Sequence, residues 1–284
     1  MGETLVLMVD WSASSTRGPK RPSPDRCWLA FASISESAQS RPPPEYFRTR
    51  LECEARVASL LGAHAGPALV GFDFPIGYPR SVGGVPVLPE GRGLCALLHE
   101  LIEDHEDGSN NRFEVAAELN GRIRTLSGAE EGPFWGHPVK RKYDGLSFRK
   151  TRRTGVEEYR AIERRLRAQK RNIQSAWKLM GAGAVGSQSL LGLGAVHRLL
   201  THPAFGSRTR LWPFEPSGER PDEITIAEIW PSLADFDCVE HEIKDARQVV
   251  ALRDELIERL GREPSMLDAK VCEGWILGVE PAIG

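Results

Sequence analysis

Hydrophobic positions along the chain fall into short apolar runs and into longer stretches with helical spacing. Four apolar runs near the start and two late runs predict β-strands, because they are rich in β-branched and aromatic side chains and are bounded by turn residues. These predicted strands are residues 4–10, 27–34, 45–51, 68–74, 208–214 and 224–230.

Apolar residues three and four positions apart predict helices in the remaining stretches. The predicted helices are residues 52–63, 93–104, 110–126, 156–180, 187–200, 244–260 and 264–279. Most of them lie between the early and the late strands. The order predicts an α/β domain built from residues 1–79 and 208–284, with a mainly helical insertion at residues 80–207.

The amino-acid composition argues against several classes of protein. The chain has 284 residues and a net charge of −2, which does not indicate a globally basic nucleic-acid binder. Its five cysteines form no C-x-x-C pair, which argues against a zinc site or a disulfide framework. No apolar stretch reaches the ~20 residues that span a bilayer, and the N-terminus lacks a signal pattern. We therefore expect a cytoplasmic protein without a membrane partner.

Four acidic side chains lie at positions where we expect a catalytic site. Asp10 ends the first predicted strand, Asp73 ends the fourth, Glu228 lies in the last, and Asp268 lies in the first turn of the terminal predicted helix. The carboxyl ends of strands in an α/β sheet meet at one crevice, where ligands usually bind. Acids gathered there repel one another unless a cation neutralises them, and carboxylates with water hold Mg²⁺ well. The sequence thus predicts Asp10, Asp73, Glu228 and Asp268 as catalytic residues.

Local roles remain open for these acids. Strand-end aspartates such as Asp10 and Asp73 often cap a turn or the next helix. Asp268 follows Ser265 by three residues, which also fits a capping box. An acid on an apolar face, as at Asp268 and Glu228, is nevertheless costly unless it is paired or coordinated.

Four segments carry a resemblance to a known superfamily: LVLMVDWSA, ALVGFDFPIGYP, ITIAEIWPSL and LDAKVCEGWILG. Together with the strand order, they resemble the ribonuclease H-like superfamily, and most closely its uncharacterised bacterial branch, the domain-of-unknown-function 429 family. The resemblance covers residues 3–79 and 222–279. It implies a ribonuclease H-like mixed sheet with flanking helices.

The resemblance also implies a chemistry. In the superfamily, acids of the first strand, the fourth strand and the last helix bind two divalent metal ions for phosphodiester hydrolysis. Here those ligands would be Asp10, Asp73 and Asp268, with Glu228 or Asp245 as a fourth member and Mg²⁺ or Mn²⁺ as the cofactor.

A hydroxyl-rich turn follows Asp10 and departs from the nuclease pattern. Residues 12–16 read Ser-Ala-Ser-Ser-Thr, which resembles the phosphate loop of sugar kinases and actin-like ATPases. Those proteins repeat the domain, and no second copy is present here. Ser12 is therefore a candidate substrate-binding residue for a phosphoryl group.

The insertion contains the strongest local charge feature, a run of lysines and arginines with Tyr143 and Phe148 among them. Basic residues with interleaved aromatics can follow a phosphate backbone while stacking a base, so nucleic acid is one predicted partner and a small phosphorylated or anionic substrate is another. The alternative is a solvated helix face that pairs with nearby glutamates. The candidate substrate-binding residues are Lys142, Arg149, Arg152 and Arg153.

A glycine motif precedes one predicted helix. Gly181, Gly183 and Gly186 satisfy G-x-G-x-x-G, but the residues before them have helical rather than strand periodicity. The first acid after the helix is also too distant for a dinucleotide-binding unit. We instead predict a turn between two helices whose amides face an anion, with Gly183, Ser187 and Gln188 as binding residues.

These features predict a divalent-metal-dependent phosphoryl-transfer enzyme, either a nuclease or a nucleotide hydrolase. The alternative is a noncatalytic binder of a small anionic metabolite or of nucleic acid, through the glycine turn and the basic insertion.

Overall fold

A computed structural model of the chain describes residues 3–267 and 271–280. It contains one six-stranded mixed sheet with helices on both faces, so the predicted α/β class is confirmed. The strands are β1 (Leu5–Asp10), β2 (Cys27–Ser33), β3 (Glu45–Phe47), β4 (Ala68–Phe72), β5 (Thr209–Leu211) and β6 (Ile224–Glu228).

The sheet has the order β3-β2-β1-β4-β6-β5. The first three strands form an antiparallel meander, whereas β4 and β6 run parallel to β1 and β5 runs parallel to β6. β1 and β4 are therefore neighbours at the centre, and their carboxyl ends point to the same edge of the sheet.

Six helices accompany the sheet in the described residues. They are α1 (Arg50–Ala63), α2 (Arg92–Leu101), α3 (Arg112–Ser127), α4 (Ala161–Ala168), α5 (Gly186–Leu200) and α6 (Lys244–Arg262). Side chains of β1 alternate between the two faces of the sheet, as the pleat requires. Leu7 and Val9 pack with residues of α1, α2, α3 and α5, whereas Val6 and Met8 pack with residues of α4 and α6. Both faces are thus covered, which explains why β1 is apolar at every position before Asp10.

The first hydrophobic cluster joins the sheet to α2, α3 and α5 of residues 80–207, whereas α4 packs in the second cluster. The insertion therefore buries its apolar side chains against the same core as β1 and β4. The division of the chain at residues 79/80 and 207/208 stays a prediction.

The predicted helix at residues 156–180 is wrong over most of its length, since only Ala161–Ala168 is helical. Lys170 has a left-handed backbone, with φ of 62°, which ends the helix. Beyond it, the chain runs extended past Trp135: the Trp135 amide donates to Trp177 and the Leu179 amide donates to Trp135. The apolar spacing of Ile173, Ala176 and Trp177 reflects burial in a loop and not a helix face.

The predicted terminal helix at residues 264–279 is also wrong where the structure describes it. Residues 264–267 form one 3₁₀ turn, and residues 271–280 contain no helix. Gly274 and Gly278 have φ of 81° and 89°, which a helix does not allow. The intervening backbone pairs instead with the end of β6, where the Leu277 amide donates to Glu228 at 2.8 Å.

Among the helices of the described residues, none is both long enough and apolar enough to cross a bilayer.

Candidate functional site

A cleft of about 820 Å³ opens at the carboxyl ends of β1, β4 and β6. Its walls come from segments far apart in the chain: residues 172–174, residues 181–185, residues 229–232 and the first turns of α6. Ligand pockets in proteins commonly have volumes of about 300–1,000 Å³. The cleft is therefore large enough for a small organic molecule.

Asp10 and Asp73 lie side by side at the base of this cleft. Val9 and Phe72 are partners in the parallel register of β1 and β4, and the next residue of each chain segment is the aspartate. The Asp73 amide donates to the Val9 carbonyl at 3.2 Å, and the Trp11 amide donates to Asp73 Oδ1 at 2.7 Å. The strand register thus fixes both carboxyls at one place.

Neither carboxyl of this pair has an ordinary pKa. Burial, followed by repulsion from Asp73 and Asp245, raises the pKa of Asp10 well above its usual value. Burial also raises the pKa of Asp73, to about 7, although hydrogen bonds from the Trp11 amide and from Asp10 limit the rise. Each carboxyl consequently holds a proton more readily than an exposed aspartate does, and the two titrate as a pair.

Asp245 brings a third carboxyl to the cleft from the first turn of α6. Its Oδ2 accepts a hydrogen bond from the Asp25 amide at 2.8 Å, and burial raises its pKa. Asp25 holds that amide in place with a left-handed backbone, with φ of 57°, which is uncommon for a residue other than glycine. Asp268, the ligand predicted from the terminal helix, lies outside the described residues.

Glu228 lies in the wall of the same cleft, but both of its carboxylate oxygens already accept hydrogen bonds from other residues of the protein. Arg160 donates to both of its carboxylate oxygens, at 2.6 and 2.7 Å, and the Ile76 amide donates at 2.9 Å. Arg160 also pairs with Glu163, and all three side chains are buried. This ion-pair triad favours a structural role for Glu228, and its predicted catalytic role stays a prediction.

Three of the predicted substrate-binding residues line the cleft: Ser12, Gly183 and Gln188. The Ser12 hydroxyl donates to the Asp25 carbonyl at 2.9 Å, and Gln188 Nε2 donates to the Trp11 carbonyl at 2.7 Å. Both side chains therefore stabilise the loop that follows β1 through these hydrogen bonds.

Ser187 is placed differently from its neighbour Gln188. Its hydroxyl accepts from Arg112 Nε at 3.0 Å and donates to the Leu179 carbonyl at 2.7 Å, and the side chain is buried. The structure therefore places Ser187 behind the cleft wall, where its hydrogen bonds hold the start of α5.

The glycine motif forms the rim of the cleft and the start of α5. Gly181 and Gly183 have φ of 101° and 68°, which favour glycine, and a Cβ on Gly186 would lie 2.4 Å from the Ala176 carbonyl oxygen. In the described chain, no β-strand comes directly before these glycines. Lys178 forms only an isolated β-bridge with Trp135. These glycines therefore serve a tight turn, as predicted, although its preceding segment is a loop and not a helix.

The basic residues of the insertion lie outside the cleft. Lys142, Arg149, Arg152 and Arg153 are exposed on the irregular segment between α3 and α4. Arg153 pairs with Glu130 at 2.7 Å. The structure thus does not bring these four residues to the acidic pair. The helix predicted to continue the basic run is shortened to α4, which carries Arg164, Arg165 and Arg167.

The acidic pair has the chemistry of a hard-cation site. Within the described residues, three histidine, cysteine or acidic side chains are nowhere grouped closely enough to form a complete metal site. Mg²⁺, however, is usually held by only one or two carboxylates, with water and substrate phosphates completing its shell. The oxygen donors of Asp10 and Asp73, whose pKa values are raised partly by negative charge, fit such an ion.

The chain has no match among protein-family models, curated proteins or solved structures.

Replacement of Arg160 by methionine would leave two buried carboxylates without a counter-ion. We expect the free energy of unfolding to fall by about 3–5 kcal/mol in urea titrations, because breaking a buried ion pair leaves an uncompensated charge. Arg153→Met removes an exposed pair of the same residue types and should change stability very little. Equal, small effects of both substitutions would contradict the structural role of the triad.

Replacement of Asp10 by asparagine removes one charge from the pair with almost no change in shape. A carboxyl with a raised pKa makes the folded state bind protons more tightly, so wild-type stability falls as pH rises from about 4 through about 7. In metal-free buffer, Asp10→Asn should therefore be more stable than wild type at pH 8, by on the order of 1–3 kcal/mol, with the difference shrinking towards pH 4.

Asp144→Asn, at an exposed loop position, is the matched control and should show no such pH dependence. A destabilised Asp10→Asn variant at pH 8 would show that the two carboxyls do not repel each other.

Proposed function

We propose that the protein is a divalent-metal-dependent enzyme that hydrolyses phosphate esters, with a ribonuclease H-like domain. The observation that carries the proposal is the convergence of Asp10 and Asp73 at the ends of adjacent parallel strands, inside a cleft, with raised pKa values. Two acids held together in this way favour the binding of a cation.

The topology supports the resemblance to the ribonuclease H-like superfamily. An antiparallel meander, β1 to β3, is followed by a helix and by β4, which lies parallel to β1. The two strand-end acids implied by the resemblance then fall on neighbouring strands. Asp245, one of the two residues that the resemblance allows as a fourth acid, lies on α6 and lines the same cleft.

In this proposal, Asp10 and Asp73 would hold Mg²⁺ or Mn²⁺, and Asp245 would add negative charge to the same cleft. A bound ion of this kind lowers the pKa of a water molecule and stabilises negative charge on a phosphoryl group. The Trp11 amide orients Asp73, and the Asp25 amide orients Asp245. In the overall reaction, the oxygen of water bonds to phosphorus, the bond to the ester oxygen breaks, and the departing alcohol takes up a proton.

The alternative function is noncatalytic binding of a small anion. Gly183 and Gln188 line the same cleft, and the turn at residues 181–185 faces it, which favours this second candidate. Such binding would require neither Asp10 nor Asp73, so the acidic pair separates the two functions.

Titration calorimetry with Mn²⁺ and Mg²⁺ tests the proposal. We expect Asp10→Asn and Asp73→Asn each to weaken metal binding at least about tenfold, because each removes an anionic ligand. Wild-type affinity should rise with pH through about 7, since the proton held by the pair must leave before the ion binds.

Asp144→Asn is again the matched control, and it should bind the ions as wild type does. Unchanged affinity in both site variants would contradict the proposal. Binding of inorganic phosphate without metal, equal in wild type and both variants, would support the noncatalytic alternative.

A further inference from the structure

The cleft carries an excess of negative charge. Six acids line it, whereas its basic residues in the described chain are Arg26 and Arg160. Arg160 is already neutralised by Glu163 and Glu228. A phosphorylated ligand would therefore enter this cleft only as a complex with cations, because its own charge is repelled by the walls.

The rest of the lining suits an uncharged organic group. Ile173, Ile229 and Ile276 line the cleft as the edge of the buried core, and the half-buried Trp230 packs against that core. Pockets for small molecules are typically apolar with a few polar groups that fix orientation. Trp11 also lines the cleft but is buried, so among the described lining residues Trp230 offers the more exposed aromatic ring.

Neutral polar side chains from the surrounding helices and loops also line the cleft. Gln248 follows Asp245 by three residues on α6, so both lie on the same helical face and both line the cleft. Ser232 and Asn172 line it as well. Carboxamides and hydroxyls can donate and accept hydrogen bonds, which matches the ring nitrogens, carbonyls and hydroxyls of a nucleoside.

A nucleic-acid strand fits this geometry poorly. Proteins that bind single strands use a positively charged groove that follows the backbone, with aromatic residues along it. Here the cleft is acidic, and Lys142, Arg149 and Arg152 are exposed on another segment of the chain. The positive charge that would bind a nucleic-acid backbone is therefore separated from the proposed reaction centre.

We propose that the substrate is a small phosphate ester of about mononucleotide size, taken up with a divalent cation, whose organic group lies against Trp230 and Gln248. This inference rests on the proposed metal-dependent hydrolysis and specifies its substrate class. Trp230 and Gln248 are binding residues in this account, distinct from the acids that hold the metal ion.

The test compares two substrates in the presence of Mn²⁺: the p-nitrophenyl ester of thymidine 5′-monophosphate and a single-stranded oligodeoxynucleotide. Hydrolysis of the small ester consumes one water, breaks the phosphorus–oxygen bond to the aryl group, and releases thymidine 5′-monophosphate and p-nitrophenol. We expect the small ester to be hydrolysed and the oligonucleotide to be left intact.

Single substitutions test whether Trp230 and Gln248 bind the organic group of the substrate. Trp230→Ala should raise KM for the small ester about tenfold with a smaller effect on kcat, because base–aromatic stacking acts mainly on binding. Gln248→Ala should change KM in the same direction. Arg122→Ala, at an exposed arginine outside the cleft, is the control and should leave both parameters unchanged.

Cleavage of the oligonucleotide in preference to the small ester, lost in Arg149→Ala and Arg152→Ala, would overturn this inference while leaving the metal-dependent function intact. If neither substrate is hydrolysed, binding is measured instead, by calorimetric titration of thymidine 5′-monophosphate into the Mn²⁺-loaded protein. No binding, or binding unaffected by Trp230→Ala and Gln248→Ala, would equally overturn it. Failure of the proposed function itself has a separate signature, metal affinity that does not change in Asp10→Asn and Asp73→Asn.

Discussion

The burial of the Asp10 and Asp73 carboxyls side by side, together with the repulsion between their charges, is the constraint on which the candidate site depends. The parallel register of β1 and β4 brings the two carboxyls to neighbouring positions, and the buried strands that precede them leave little freedom to separate. In the folded protein the repulsion is relieved by a shared proton or by a bound cation. A shared proton makes the site sensitive to pH, and the cation that we propose would make it sensitive to divalent ions as well.

Surrounding interactions keep this unfavourable pair in place. The Trp11 amide binds Asp73, Gln188 binds the Trp11 carbonyl, and Ser12 binds the Asp25 carbonyl. The loop after β1 is thus tied to the sheet and to α5. The Arg160 triad supports the opposite wall, where it joins α4 to the end of β6. The glycine turn completes the rim, so the sequence features that first indicated a nucleotide-binding motif contribute to the same cleft.

Much of the sheet could be predicted because its strands are short, apolar and ended by acids or turn residues. Asp10 and Asp73 stand out in the sequence for that reason, and the parallel crossover from β1 to β4 explains why they meet. The helix predicted at residues 156–180 failed because Ile173 and Trp177 have helical spacing but are buried in a loop that pairs with Trp135. Helical spacing alone does not distinguish such a loop from a helix.

Other parts of the site depend on tertiary contacts that spacing does not encode. Asp245 reaches the cleft because α6 packs across β1 and β2, and its partner Asp25 is distant in the chain. The pairing of Arg160 with Glu228 spans 68 residues and could not be read from the charge pattern, in which Arg160 is one of many arginines. The basic run predicted substrate contacts at Lys142 and its neighbours, yet their loop leaves them on the surface.

The carboxyl groups themselves provide the most direct test. We would follow the carboxyl ¹³C resonances of Asp10 and Asp73 by NMR from pH 3 to pH 9 in metal-free buffer, with assignments from the single asparagine variants. The account predicts that Asp73 titrates near pH 7 and that the pKa of Asp10 lies well above its usual range. Titration of both groups near pH 4, as for exposed aspartates, would contradict it.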